Sequence, residues 1–266
     1  MNIQIALTPS ESKRLIAKGV VEYLKESLDI AIDCTVLITR GSTNAYVLDE
    51  LLKYLEIDAP FTKADFITGE VLAEGNTRLW SNKHRKPEVV IKKREMEEVK
   101  DDAGRLKVVQ RMKAGDVVIK GANAIDHTGM AGILVGDQTT GGTIGSLYGI
   151  IKSKGLDFIC PVGLGKMVMG EISETTNIAG ANFCKFSQGM PVGLFPVAAN
   201  VITEIEALEM MFDCDVFHLA SGGLGKAQGS VVLLIEAAED EELDKIKAFL
   251  DDGVFGEEPL EPNPAE

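Results

Sequence analysis

The amino-acid sequence predicts an α/β protein: a doubly wound, mostly parallel sheet with a small C-terminal α+β portion. CTVLIT (34–39) is a short continuous apolar run with β-branched residues, as a strand buried on both faces is, and LDFICPVG (156–163) reads as a further strand. CTVLIT is followed by a small-residue loop and then a helical pattern. That order recurs and argues for parallel strands with helices on both sides. From about residue 190 the order changes to strand–helix–strand–strand–helix, which suits a small α+β layer.

Ser10 or Ser12 is placed to cap a first helix through KRLIAKGVVEYLKES, where Leu15, Ile16, Val20, Tyr23 and Leu24 recur at helical spacing. After CTVLIT, the segment RGSTNAYVLDELLKYL sets Val47, Leu48, Leu51, Leu52 and Leu55 on one helical face. ADFITGEVL (64–72) reads as the next strand. The charged region 73–113, which holds Trp80, reads as an inserted hairpin followed by a helix. DVVIKG, AGILVGD and LDFICPVG are further strands. GGTIGSLYGIIKSKG is a helix with a glycine-rich start and Gly155 past its end. The resulting layout is a Rossmann-like core over 1–189, an insertion at 73–113, a small portion over 190–253 and an acidic, disordered tail over 254–266.

Composition excludes several functions. The net charge of −14 repels nucleic acid and anionic membranes. It leaves anionic small molecules open, because a local cationic pocket acts within a Debye length of ~8 Å. No uncharged apolar run reaches the ~18 residues of a transmembrane helix, and MNIQIALTPSESKR has no secretory pattern, so a cytoplasmic location is expected. The four cysteines and three histidines are scattered, without zinc-ligand spacing, so no metal site is expected and the cysteines read as buried or inert. No motif calls for a cofactor.

Three loops at predicted strand ends are candidates for ligand binding, since ligands of such sheets bind beyond the carboxyl ends of strands. In TRGSTNAY (39–46), Gly41 keeps the backbone open, Ser42, Thr43 and Asn44 add polar groups at a helix start, and Arg40 adds a charge. Helix N-termini bind anions through unpaired N–H groups and the dipole. The same residues also read as a capped helix with Ser42 or Thr43 as N-cap. In KGANAID (120–126), Lys120 would hold a phosphate or carboxylate, or act as base or Schiff-base amine, while Asn123 and Asp126 orient hydroxyls. The bland alternative is a turn with a paired lysine. In GDQTTGGTIGS (136–146), Gly141, Gly142 and Thr143 form a possible second anion nest or a flexible connection. ASGGLGKAQGS, with Lys226, fits a hairpin loop better, and His127 fits a surface group.

Read in order, these pieces resemble ribose-5-phosphate isomerase of the A type and, more broadly, the superfamily joining it to glucosamine-6-phosphate deaminases, CoA transferases and sugar-phosphate-sensing repressor domains. KRLIAKGVVEYL resembles the family's first helix and places Lys13 where the isomerase has a phosphate-binding lysine. VLITRGSTNAYVLDEL resembles its G-T-G-S-T phosphate loop, DVVIKGANAID its D-G-A-D-E strand end, and TTGGTIG its K-G-G-G stretch. The resemblance also implies a homo-oligomer. Departures fall on the chemistry: the family's two aspartates fall on Lys120 and Asn123, its lysine on Thr140, and its general-base glutamate near Tyr148 and Gly149. A standard isomerase is therefore not expected. The leading expectation is a site for a small anionic metabolite, a sugar phosphate, with Lys120 and Asp126 carrying any chemistry. The alternatives are a non-catalytic ligand sensor or scaffold, and an acyl-CoA or carboxylate enzyme.

Overall fold

The computed structural model describes residues 1–27, 34–72, 75–78 and 86–261. β1 (Asn2–Leu7) leads into α1 (Pro9–Ser27). The cap of α1 is Thr8, not Ser10 or Ser12. Thr8 N–H donates to Glu11 Oε2 (2.8 Å) and Glu11 N–H to Thr8 Oγ1 (3.3 Å), a reciprocal capping box with Pro9 at the first helical position. β2 (Thr35–Ile38) and α2 (Ser42–Tyr54) follow. ADFITGEVL does not make a core strand. It forms a 3-10 turn at Lys63–Phe66 and β3 (Glu70–Leu72), which among the described residues pairs only with β4 (Gly75–Arg78).

The insertion contributes β5 (Glu88–Lys92), β6 (Glu95–Val99) and α3 (Asp102–Arg111), a hairpin followed by a helix; Trp80 lies outside the described residues. Then come β7 (Val117–Ile119), β8 (Ala124–Ile125), β9 (Ala131–Val135), α4 (Gly142–Lys154) and β10 (Asp157–Pro161). The chain continues through the short α5 (Ile172–Thr175), β11 (Gly193–Val197), β12 (Asn200–Ile202) and α6 (Glu204–Met211). It closes with β13 (Asp215–Gly222), β14 (Ser230–Glu236) and α7 (Asp240–Gly253).

The central sheet has the order β12-β10-β7-β2-β5-β6. Its first four strands are parallel, and the inserted hairpin adds two antiparallel strands beside β2. Alternate strand residues face two separate cores, which makes the sheet doubly wound. Val36, Ile38, Val117, Ile119 and Ile159 join α1, α2 and α6 on one face. Leu37, Val118, Phe158 and Cys160 join α3 and α4 on the other. A slip of one residue would exchange the two sets, so burial of both faces fixes the register.

The division at residue 190 does not hold. β12 is the edge of the parallel sheet, and β11 pairs with β9. The small sheet instead recruits the N-terminus: its order is β1-β14-β13, with Asn2 opposite Glu236.

The tail also departs from the disordered reading as far as it is described. Val254 is buried, and Phe255 and Leu260 pack on the core. Glu257 accepts from Arg14 Nε (2.8 Å) and Lys63 Nζ (2.5 Å), and both cations lie over the ring of Tyr46. Fixed cations on α1 and at the start of the 3-10 turn thus neutralise a segment that composition alone reads as solvated. Among the described residues no helix is long and apolar enough to cross a membrane, and no cluster of three metal-ligating side chains occurs. Cys34 and Cys160 are buried, Cys214 is half-buried, and Cys184 is exposed.

Candidate functional site

Two of the parallel strands end side by side and are stitched together. Thr39, just past β2, donates its N–H to Ile119 O (3.0 Å), and Lys120, just past β7, donates its own to Ile159 O (3.0 Å). The chain then turns through Arg40 and Gly41 into α2. Gly41 is the N-cap, in extended backbone, and no side chain caps the helix, so neither Ser42 nor Thr43 serves as a cap. Ser42, Thr43 and Asn44 occupy the buried first turn. The N–H groups of a first turn have no partner within the helix, and the positive end of the dipole lies there.

A second helix opens toward the same place. Its N-cap, Gly141, sits in the left-handed region (φ 71°), which glycine adopts without strain, and it offers no side-chain cap. The preceding loop is held by Asp137, whose Oδ1 accepts from Thr139 N–H (2.8 Å) and whose other oxygen accepts from the Thr140 hydroxyl. These bonds hold its carboxyl below the usual range. Thr140 Oγ1 in turn accepts from Gly142 N–H (3.1 Å).

Between the two helix ends lies a cavity of about 200 Å³. Arg40, Gly41, Ser42, Thr43 and Asn44 line one wall, and Gly141, Gly142 and Thr143 another. Lys120, Gly121 and Asn123 line the floor. All three candidate loops therefore converge. Asn123 lines the cavity, but its amide holds the scaffold: Oδ1 accepts from Leu134 N–H (3.0 Å), and Nδ2 reaches Gly69 O (3.4 Å). Lys120 is half-buried. Burial depresses its pKa, Arg105 and Lys166 push the same way, and Glu88 and Cys160 oppose them. The thiol of Cys160, fully buried, is itself pushed up to about 12.

Two expected residues are elsewhere. Asp126 does not line the cavity. Its Oδ1 accepts from Thr128 N–H (2.9 Å), the Thr128 hydroxyl (2.6 Å) and Met130 N–H (3.1 Å), and its Oδ2 from Ile172 N–H (2.8 Å). Burial alone would raise its pKa; these donors outweigh that and hold it below the usual carboxylate range. Such a carboxylate organises a turn and is a poor proton carrier. Lys13 donates to Pro9 O (3.1 Å) and lines a different surface hollow, shared with Lys226 and the tail. His127 is exposed.

The cavity also holds groups that the loops do not announce. Lys166 reaches in from the 3-10 turn at Leu164–Lys166 and donates to Ala122 O (2.8 Å). It follows β10 as Lys120 follows β7, and that strand-end position was its available signal. Glu88, at the start of β5, is 3% exposed, and its Oε2 accepts from Arg105 Nη1 (3.1 Å). No local motif marks it. Tyr148, one of the two residues on which the sequence resemblance places a general base, is packed edge-on against Phe158 and Phe195, and its hydroxyl accepts from Ala198 N–H (3.0 Å).

No protein-family model matches the chain, and no curated protein matches it. Similar solved structures include the following two. One is a 5-methylthioribose 1-phosphate isomerase from Pyrococcus horikoshii, with 14% identity over 74% of this chain and a TM-score of 0.36. The chain spans 55% of that protein's length. The other is a D-ribose-5-phosphate isomerase in complex with phospho-erythronic acid, with 18% identity over 92% of this chain and 87% of that one and a TM-score of 0.31.

Proposed function

We propose that the protein binds a small phosphorylated metabolite, a sugar phosphate, at the carboxyl ends of β2 and β7. One observation carries the reading: the N-termini of α2 and α4, neither of them capped by its own N-cap glycine, open into one cavity that also receives Lys120 and Lys166. Two helix ends and the Lys166 ammonium group make a local field that selects anions despite the acidic surface. The volume of about 200 Å³ falls below the roughly 300–1,000 Å³ of pockets for drug-sized ligands, which favours a compact ester over an acyl-CoA.

Binding without turnover is a second reading. It is favoured by the way Asp126 and Asn123 are spent on the scaffold and by Tyr148 in place of a base.

The test is thermal unfolding against ribose 5-phosphate, other sugar phosphates, inorganic phosphate and CoA esters. Ligand at 100 times its Kd adds about 2.7 kcal/mol, which raises the midpoint by roughly 5–10 °C for a chain of this size. A rise with sugar phosphates that is lost in Ser42→Pro supports the site. No rise with any phosphate overturns it.

A further inference from the structure

Anion binding accounts for the helix ends and for Lys166, but it leaves Lys120 and Glu88 over. Lys166 is tied to Ala122 O, as a fixed cation should be. Lys120 is different. Among the described residues its Nζ has no hydrogen-bond or ion-pair partner, although it sits half-buried at the end of a central strand beside Gly121 and Ala122. A lysine placed only to hold phosphate gains from full charge, yet burial here favours the neutral amine. Glu88 is equally unusual. It is a buried carboxylate on the wall of an anion site, fixed through Oε2 by Arg105, while its Oε1 has no hydrogen bond among the described residues. A carboxylate repels a phosphate, so its presence calls for a proton-handling or hydroxyl-binding role.

We propose that the bound phosphate ester carries an aldehyde or ketone, and that Lys120 captures this carbonyl as an imine with Glu88 moving the protons. This rests on the phosphate-binding reading of the same cavity. The Nζ lone pair forms the C–N bond as the carbonyl π pair moves to oxygen. Glu88 carries one proton from nitrogen to that oxygen, giving a neutral carbinolamine. It then carries the second, and the oxygen leaves as water while the nitrogen lone pair closes the C=N bond. Both protons end on the water, and no oxidant or reductant is needed. The environment supplies what such a step requires: a desolvated amine for attack and an oriented carboxylate within the same walls. Arg105 orients Glu88 through the 3.1 Å bond and is itself anchored to Asp102 (2.8 Å).

The probe is glycolaldehyde phosphate with sodium cyanoborohydride, applied to the full chain and followed by peptide mass mapping. Imine reduction adds the ester less one oxygen atom. The expected result is preferential labelling of Lys120, suppressed by inorganic phosphate and absent in Lys120→Arg. Glu88→Gln should slow labelling on the order of 10²-fold and flatten its pH profile, while keeping the phosphate-induced thermal shift. Glycolaldehyde without phosphate should label Lys120 far more slowly.

Labelling confined to exposed lysines, with the thermal response to phosphate intact, overturns the imine and spares the anion site. Equal labelling by both aldehydes with no response to phosphate spares the amine chemistry and removes the anion site. The wild-type map decides the matter even where a variant fails to fold.

Discussion

Asn44 and Gly121 face each other across the floor of the cavity. Asn44 is fully buried, its Nδ2 donates to Thr39 O (2.8 Å), and its Oδ1 has no partner. That oxygen stands 3.5 Å from the point where a Cβ on residue 121 would sit. An unmade hydrogen bond on a buried acceptor costs about 1–3 kcal/mol, so the arrangement suits a ligand that brings a donor, such as a sugar hydroxyl. Gly121→Ala tests this. Its Cβ would meet Pro161 O at 3.3 Å and Asn44 Oδ1 at 3.5 Å, a contact relieved by shifts of a few tenths of an ångström. The expected outcome is a midpoint within a few degrees of wild type and loss of the sugar-phosphate-induced shift. An unchanged ligand response would show that the ligand does not reach the floor.

Ser42→Pro separates the helix end from the helix. Residue 42 is the first helical position, where proline's fixed φ fits and its missing N–H breaks no helical bond. Gly41 before it is extended, as a residue preceding proline prefers. Stability should therefore change by less than about 1 kcal/mol. Phosphate affinity, measured by calorimetry, should fall roughly 10- to 100-fold, the worth of one hydrogen bond to a charged group at about 1.5–3 kcal/mol. If the amide of Ser42 does not touch the ligand, phosphate affinity would be unchanged.

What the sequence disclosed and what it hid divide by range along the chain. Arg40 to Asn44, Lys120 to Asn123 and Gly141 to Thr143 are legible because each is a local pattern of strand, small residues and helix start, and parallel topology gathers such ends on one edge. Glu88 is not legible. It reaches the cavity only because β5 pairs with β2, with Val89 opposite Ile38, and no local spacing announces a pairing between segments so far apart in the chain. The pairing of β1 with β14 and the docking of Glu257 on Arg14 span nearly the whole chain, so no local spacing announces them. Asp126 shows the converse: its polarity suggested chemistry, but four donors converge on it.

Glu204 should make stability depend on pH in an unusual direction. It is fully buried, and burial pushes its carboxyl up, against the Ser12 hydroxyl and the Leu164 N–H (2.9 Å) that favour its anion. A folded pKa above the unfolded value means that its contribution is fully present below the unfolded pKa, near 4.3, and is lost as pH rises through the folded one. Glu204→Gln keeps an acceptor for Leu164 and a donor for Ser12 without the charge. The variant should gain stability relative to wild type as pH rises from 4 to 8, as read by urea midpoints. A difference that is constant with pH would mean that the carboxyl does not titrate in this range.

The tail contact has the opposite pH sign. Burial alone would raise the pKa of Glu257, but hydrogen bonds and charge from Arg14 and Lys63 outweigh it and hold it down. A depressed folded pKa means that its stabilisation is present above the unfolded pKa and disappears as pH falls through the folded one. Both of its oxygens are engaged, Oε2 by Arg14 Nε and Oε1 by Arg14 Nη2 (3.2 Å) and Lys63. Arg14 is only 6% exposed in its side chain, so this is stronger than a surface pair. Glu257→Ala should cost about 1–2 kcal/mol at pH 7, with Asp49 and Glu50 still partnering Arg14 and limiting the loss. Removing residues 255–266 should cost more, because Phe255 and Leu260 leave the core as well. For Glu257→Ala the gap to wild type should close as the pH is lowered toward 3, while for the truncation a pH-independent remainder should persist. If the point variant matched wild type at pH 7, the ion pair would contribute nothing and the tail would be held by its apolar residues alone.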